Sequence, residues 1–268
     1  MKFLRLGIKA GNALLNLVII LCLCGAGAYA LYALWDNSQV YQEAEQVQKE
    51  LQKYKPQPVK GEEGESTSFE ELLKINPDVC AWLTLDGTEI DTPVVQGDTN
   101  LTYINKNVYG KFSLSGSIFL DSRNDSGFDD PYCLLYGHHM EEHKMFGDLY
   151  LYKKASFFEK QKTGTLILPD GTYQLKIFAC AEAEASDKNL FDPTEWRQPE
   201  DLTDLLKHIR KQAENLDQDL MKELEETAAD PIKEVPKILA MSTCSSDKTE
   251  ARTVLLAIME KEISPSDQ

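Results

Sequence analysis

Histidine and positive charge are both scarce in this chain. Its four histidines are His138, His139, His143 and His208, so any imidazole acid or base comes from a very short list. Lysine and arginine number 28 against 44 acids, a net charge of −16. A surface so acidic repels phosphate backbones, which argues against nucleic acid as a partner. Acids are themselves missing before Asp36, where the only charges are Lys2, Arg5 and Lys9. Beyond that point the balance is 25 cations to 44 anions, or −19. No internal repeat is visible. The six cysteines do not form the spacing of a disulfide framework. Cys22 and Cys24 sit in the first apolar run, and Cys80, Cys133 and Cys180 fall inside apolar, strand-like stretches where a thiol behaves as a small buried hydrophobe. Sequence leaves open a pairing among those three. Cys244 stands apart, because it ends its apolar run beside polar residues.

Residues 13–35 are almost uncharged and long enough to cross the roughly 30 Å hydrocarbon layer as a helix. The cations ahead of them predict a cytoplasmic N-terminus, 1–12, a single transmembrane signal-anchor, 13–35, and an outer part from 36 onward. That makes the plasma membrane the expected location. A cleavable signal peptide competes, since Ala28-Tyr29-Ala30 has a small-x-small form. The apolar run continues to Trp35, which suits an anchor better. Within 36–68 comes first a helix, with Val40, Ala44, Val47, Leu51 and Tyr54 on one stripe and Asp36, Asn37 or Ser38 as caps. The stripe is short, so packing on the domain is favoured over a dimeric coiled coil. Residues 56–68 read as a linker by composition, 69–262 as the folded domain, and 263–268 as a tail.

After a short helix at 69–75, stopped by Asn76-Pro77, the chain is mainly β. Strand-like runs lie at 80–85, 90–95, 117–120, 133–136, 165–168, 172–183, 237–243 and 253–260, divided by turns such as Asp86-Gly87 and Pro169-Asp170-Gly171. One helical insertion, 199–229, places Leu202, Leu205, Leu206, Ile209, Leu216, Leu220 and Leu224 at helical spacing. Antiparallel strands with one helical excursion predict a closed or nearly closed barrel.

The stretch from Ile238 to Ala257 is the most telling. An apolar run ends on Cys244, a polar loop follows, and a second apolar run starts with Arg252. As two antiparallel strands these put a thiol and a guanidinium side by side at one rim of a sheet. A cationic neighbour favours thiolate, the nucleophilic form. For its base, His138 follows a strand and a glycine, whereas His208 sits on the polar side of the inserted helix and reads as solvated. Arg252 has the chemistry to hold an oxyanion or the substrate's carbonyls. His139-Met140-Glu141-Glu142-His143 matches the H-x-x-E-H pattern of inverted zinc proteases, but those histidines need a helix to share a face, and a glycine and a strand end come just before. The segment from Asp121 to Gly127 faintly resembles a calcium loop, yet Arg123 occupies a ligand position, so it reads as a surface turn. Asn100-Leu101-Thr102 and Asn124-Asp125-Ser126 match glycosylation sequons, which occur often by chance.

Taken together these residues carry a resemblance. The chain resembles the class B sortases, membrane-anchored cysteine transpeptidases of Gram-positive bacteria, over roughly residues 69–260. The matching stretches are Asn76-Pro77-Asp78-Val79-Cys80-Ala81-Trp82-Leu83, the run from Gly87 to Gln96, Gly116-Ser117-Ile118-Phe119-Leu120-Asp121, Tyr136-Gly137-His138-His139-Met140, Met145-Phe146 with Leu149, and Ser242-Thr243-Cys244 through Arg252. Each is weak alone; their order and spacing are highly specific. The resemblance implies a closed eight-stranded barrel with N-terminal helices and a long helix between late strands. It carries a catalytic trio onto His138, Cys244 and Arg252, and a substrate groove onto Asn100, Ile104, Tyr136 and Ser242. Ala240 and Ala81 depart from the family pattern, where Thr and Gly are common, without touching the trio. No cofactor and no metal is implied. The partners implied are secreted proteins bearing a C-terminal sorting signal, a cell-wall precursor (lipid-linked peptidoglycan) supplying the amine, and the membrane. A pilin lysine is the alternative amine, although the Asp-Pro-aromatic lid motif of polymerising class C sortases is absent between Pro56 and Trp82. A non-catalytic scaffold on the wall is the third reading, against which the intact trio argues.

Overall fold

The structure, a computed structural model, describes residues 2–56, 67–196, 201–230, 236–244 and 251–262. It divides into two compact units, Met1–Glu43 and Ala44–Gln268. The first belongs to helix α1 (Lys2–Leu51), whose apolar stretch leaves leucines, isoleucines and Trp35 exposed. By length and composition this helix could cross a membrane, a weak sign of an anchor. Of the expected linker, 57–66 lie outside the described residues, as do the tail 263–268, the loop 245–250 and positions 199–200 of the expected insertion.

The second unit runs through α2 (Thr67–Ile75), β1 (Val79–Leu85), β2 (Asp91–Val95), β3 (Ile118–Leu120) and β4 (Tyr132–Tyr136). A 3-10 stretch, Gly147–Lys153, leads into α3 (Ala155–Phe158), β5 (Thr163–Leu168) and β6 (Gly171–Glu184). Then come α4 (Lys188–Phe191), α5 (Leu202–Gln212), β7 (Ala213–Leu216), α6 (Gln218–Ala228), β8 (Lys237–Cys244) and β9 (Ala251–Lys261). The sheet order is β5-β1-β2-β3-β4-β8-β9-β6, and β5 pairs again with β6, which closes an eight-stranded barrel.

Two pairings in that ring are parallel, β2 with β3 and β4 with β8, where antiparallel strands were expected throughout. Parallel neighbours need a long crossover. The connections at 96–117 and from β4 round to β8 supply it. The inserted segment also differs from a single helix. α5 and α6 are separated by β7, which adds to the C-terminal half of β6 through Ala179–Leu216 and Cys180–Asn215 pairs. β5 pairs with β6 only as far as Lys176, so without β7 the backbone from Phe178 onward would present an open edge. Asp217 then caps α6, accepting the Asp219 and Leu220 N–H groups.

Three apolar layers hold the unit together. Leu239, Met241, Leu255 and Ala257 point into the barrel, packed with Phe146, Tyr152 and Leu166. Their strand neighbours Ile238, Ala240, Val254 and Leu256 face outward beneath Leu202, Leu205, Leu206 and Ile209 of α5 and Met221 of α6. Strands covered on both faces read as unbroken apolar runs rather than alternating ones. Ala240, the departure from the family pattern, belongs to this outer layer. The third layer puts Leu51 of α1 and Phe69 and Leu72 of α2 against Trp82, Val95 and Phe119.

Asp91 ties the chain after α1 to the barrel. It receives the Trp82 indole N–H at 2.6 Å, the Thr84 hydroxyl at 2.8 Å and the Lys55 ammonium at 2.8 Å. Burial would raise its pKa, but the bonds from Lys55, Trp82 and Thr84 outweigh that and hold it below the usual carboxylate value. The unfolded chain therefore takes up the proton more readily, and the Asp91 contribution is complete above about pH 4 and lost as pH falls through the lower folded value. In denaturation series between roughly pH 6 and 3, Asp91→Asn should lose stability less steeply than the parent. Parallel curves would remove Asp91 from this role.

Candidate active site

β4 and β8 run side by side in the same direction, with Tyr136 opposite Ser242 and the Gly137 N–H donating to the Ser242 carbonyl at 3.2 Å. His138 and Cys244 each stand two residues further along. Parallel strands end at the same rim, so both positions arrive together there. β9 returns antiparallel to β8, and Arg252 lies directly opposite Cys244 and, on its other side, opposite Ala183 of β6. Positions 238, 240, 252, 254 and 256 share the outward parity of the strands, and 244 has the same parity. The three residues singled out by sequence thus come from three adjacent strand ends.

His138 is oriented by the backbone of the loop after β2. Its Nε2 lies 2.8 Å from the Ile104 carbonyl, which can only accept, so Nε2 carries the proton and Nδ1 is left for chemistry. Close packing sets this arrangement. Gly116 adopts φ +61°, and a Cβ there would stand 2.5 Å from the Ile104 oxygen. Gly137 leaves room for the Phe146 ring, whose backbone N–H in turn donates to the His138 carbonyl at 3.0 Å.

A solvent-open groove of about 280 Å³ runs past these strand ends, lined by Asn100, Ile104, Tyr136, His138, Phe191 and Arg252 among others. Ser242 is not on its surface. It is fully buried, and among the described residues its hydroxyl has no hydrogen-bond partner. Asn100 lines the groove with its amide already engaged, donating to Asp121 at 2.9 Å and accepting from the Ser122 N–H at 2.7 Å. Asp121 itself is fully buried, which corrects the reading of its segment as a simple surface turn. Burial opposes its charge, but hydrogen bonds from Arg123 and Asn100 prevail and hold its pKa below the ordinary carboxylate value. Burial and the nearby Asp121 charge push the Tyr136 hydroxyl up, so it stays protonated.

His143 and His208 have partners elsewhere, and three cysteines are buried away from the rim. His143 Nδ1 bonds Asp148 at 2.5 Å from a turn in which Glu142, His143 and Met145 all have positive φ, so His139 and His143 do not share a helix face. His208 is not simply solvated, since its Nε2 meets the Asp187 carboxylate at 2.7 Å. Cys80, Cys133 and Cys180 are free buried thiols. Burial pushes Cys80 and Cys180 up to about 12 and raises Cys133 as well, which keeps all three protonated and unreactive. Sequence reasoning missed the Ile104 carbonyl, the Asp121–Arg123 pair and Phe191. Only the proximity of Arg123 to two acids at 121 and 125 hinted at any of them.

No family model matches the chain. It is 32% identical over 225 residues to sortase B of Staphylococcus aureus, covering 81% of this chain and 84% of that protein. A solved class B sortase of Streptococcus pyogenes, involved in pilus biogenesis, shares 37% identity with a TM-score of 0.61 over 74% of this chain and 100% of its own. The Staphylococcus aureus sortase B–substrate complex is similar at a TM-score of 0.63 and 27% identity, over 85% of this chain and 97% of its own.

The Ile104 contact fixes a tautomer that spectroscopy can read. Nitrogen-15 NMR of labelled histidine, recorded above the titration of the ring, should show neutral His138 protonated on Nε2 and bare on Nδ1. The opposite tautomer would contradict the bond to Ile104.

Proposed function

This chain belongs to the class B sortases, and from that premise we propose that Cys244, His138 and Arg252 carry out a two-step acyl transfer where their strands end. As a sortase it is a cysteine transpeptidase. The observation that supports these residues most is the register, parallel between β4 and β8 and antiparallel between β8 and β9, which brings positions 138, 244 and 252 to one rim. The groove beside them is open to solvent and includes His138 and Arg252 in its lining, so a peptide can reach them.

In the first step the Cys244 thiolate adds to the carbonyl carbon of a Thr in the sorting motif, near the C-terminus of a secreted protein. The oxyanion forms beside Arg252, whose guanidinium stabilises it. The C–N bond then breaks, and the departing amine takes the proton on His138 Nδ1, leaving a thioester. In the second step an amino group of a lipid-linked cell-wall precursor attacks the thioester and loses its proton to the same nitrogen, and the thiolate leaves. The reaction starts from thiolate and imidazolium together. Tyr136 and Ile104 border the bound peptide. Asn100 and Ser242 act behind that surface.

Residues 13–35 anchor the chain in the plasma membrane, with 1–12 cytoplasmic and the catalytic domain, 69–262, outside. That topology brings the secreted substrate and the lipid-borne amine to one membrane face. A second reading, transfer to a lysine of another pilin, is favoured by one observation: the similar Streptococcus pyogenes enzyme takes part in pilus biogenesis.

Fluorogenic sorting peptides, offered with and without an added amine, test the proposal. Cys244→Ala should abolish cleavage, His138→Ala should nearly do so, and Arg252→Ala should lose roughly 10²- to 10³-fold in kcat. Cleavage by Cys244→Ala at the parent rate would overturn the assignment. Acceleration by glycine-type amines points to wall anchoring, and acceleration by a pilin-lysine peptide alone to polymerisation. For Ser242→Ala the unfolding midpoint should hold or rise, because the lost hydroxyl is buried with no partner among the described residues. A clear fall would mean that the hydroxyl is bonded after all.

A further inference from the structure

Arg252 is held in an unusual way for a cation at a reactive site. Among the described residues it has no ion pair and no hydrogen bond to its head, and its one aromatic contact is Phe191, with the guanidinium carbon 5.8 Å from the ring centroid. A carboxylate would orient a guanidinium but also neutralise the charge that an oxyanion needs. An aromatic face attracts the cation through its quadrupole and leaves the N–H donors unoccupied.

We propose that Phe191 is a positioning residue for the acyl transfer: its ring holds Arg252 where the oxyanion forms, and the Asp121–Arg123 ion pair holds Phe191. This rests on the role given to Arg252 above. Phe191 ends the single-turn α4, where a free side chain would wander. Its backbone is fixed on both sides. The Phe191 N–H donates to the Asp187 carbonyl at 3.0 Å, and Arg123 Nη2 donates to the Phe191 carbonyl at 2.8 Å. Arg123 Nη1 also meets the neighbouring Asp192 carboxylate at 3.0 Å. Arg123 is fixed in turn by Asp121, through Nε at 2.9 Å and Nη2 at 2.8 Å. A half-exposed arginine gains little from an exposed acid, but Asp121 is wholly buried and also receives Asn100, so the fork has one geometry. The chain of contacts thus joins the Asn100 wall of the groove to the Phe191 wall and ends on Arg252.

The test uses the full chain in detergent with Phe191→Leu, Phe191→Tyr and Arg252→Lys. Arginine-labelled NMR should show the Arg252 Nε–H shifted upfield by the ring in the parent and in Phe191→Tyr, and released in Phe191→Leu. With sorting peptides, Phe191→Leu should lose kcat by roughly 2- to 30-fold with KM little changed. Phe191→Tyr should restore it, and Phe191→Leu should cost nothing further in the Arg252→Lys background. An Arg252 signal indifferent to Phe191 would overturn the proposal, as would a raised KM with kcat intact, the mark of a mere apolar wall. Should the parent cleave no sorting peptide, the transpeptidase reading fails by itself, and the Arg252 signal still decides whether the ring contact exists.

Discussion

The parallel pairing of β4 with β8 is the constraint on which the candidate site depends. Had the two strands run antiparallel, the residues after Tyr136 and after Ser242 would leave the sheet at opposite ends, and a histidine and a cysteine more than a hundred residues apart would never meet. With Tyr136 opposite Ser242, the next residues of both strands leave at one rim. Closure of the barrel makes that register hard to alter. β4 and β8 are clamped by β3 and β9 on their outer edges, and a slip of one residue would turn Leu239 and Met241 out of the interior and Ile238 and Ala240 into it.

Around this rim, charge is distributed with a consistent logic. Cys80 and Cys180, buried within strands, are kept protonated by desolvation, whereas Cys244 stands at a strand end. Asp121 stays charged inside the protein because Arg123 and Asn100 fill its lone pairs. That spends a buried acid on fixing the groove walls, while Arg252 has no carboxylate partner among the described residues. In the proposed reaction, a guanidinium held in that way answers a negative charge that exists only in the transition state.

Much of this was legible in sequence, for local reasons. β8 and β9 are joined by a short loop, so the Cys244–Arg252 pairing follows from two apolar runs and a polar break. Strand positions were readable because residues such as Leu239 and Ala240 are covered on opposite faces. What stayed hidden depended on distant pairing. Nothing near Tyr136 announces a parallel neighbour a hundred residues away. The break at Ala213–Leu216 was masked because Leu216 keeps the helical spacing from Ile209, and only the uncovered edge of β6 explains why these residues become a strand. Asn100 was expected at the substrate, and it is at the groove, but its amide is turned to Asp121. Phe191 carries no signal at all in sequence, since its proposed role exists only once its ring lies beside Arg252.

The central claim is that the thiol at the end of β8 takes the acyl group from a sorting peptide. Intact-protein mass spectrometry of the chain, mixed with such a peptide and quenched in acid, tests it most directly. The account predicts a mass gain equal to the peptide portion before the scissile bond, hydroxylamine-sensitive and mapped to Cys244. Cleavage with no adduct, or an adduct on any other residue, would contradict it.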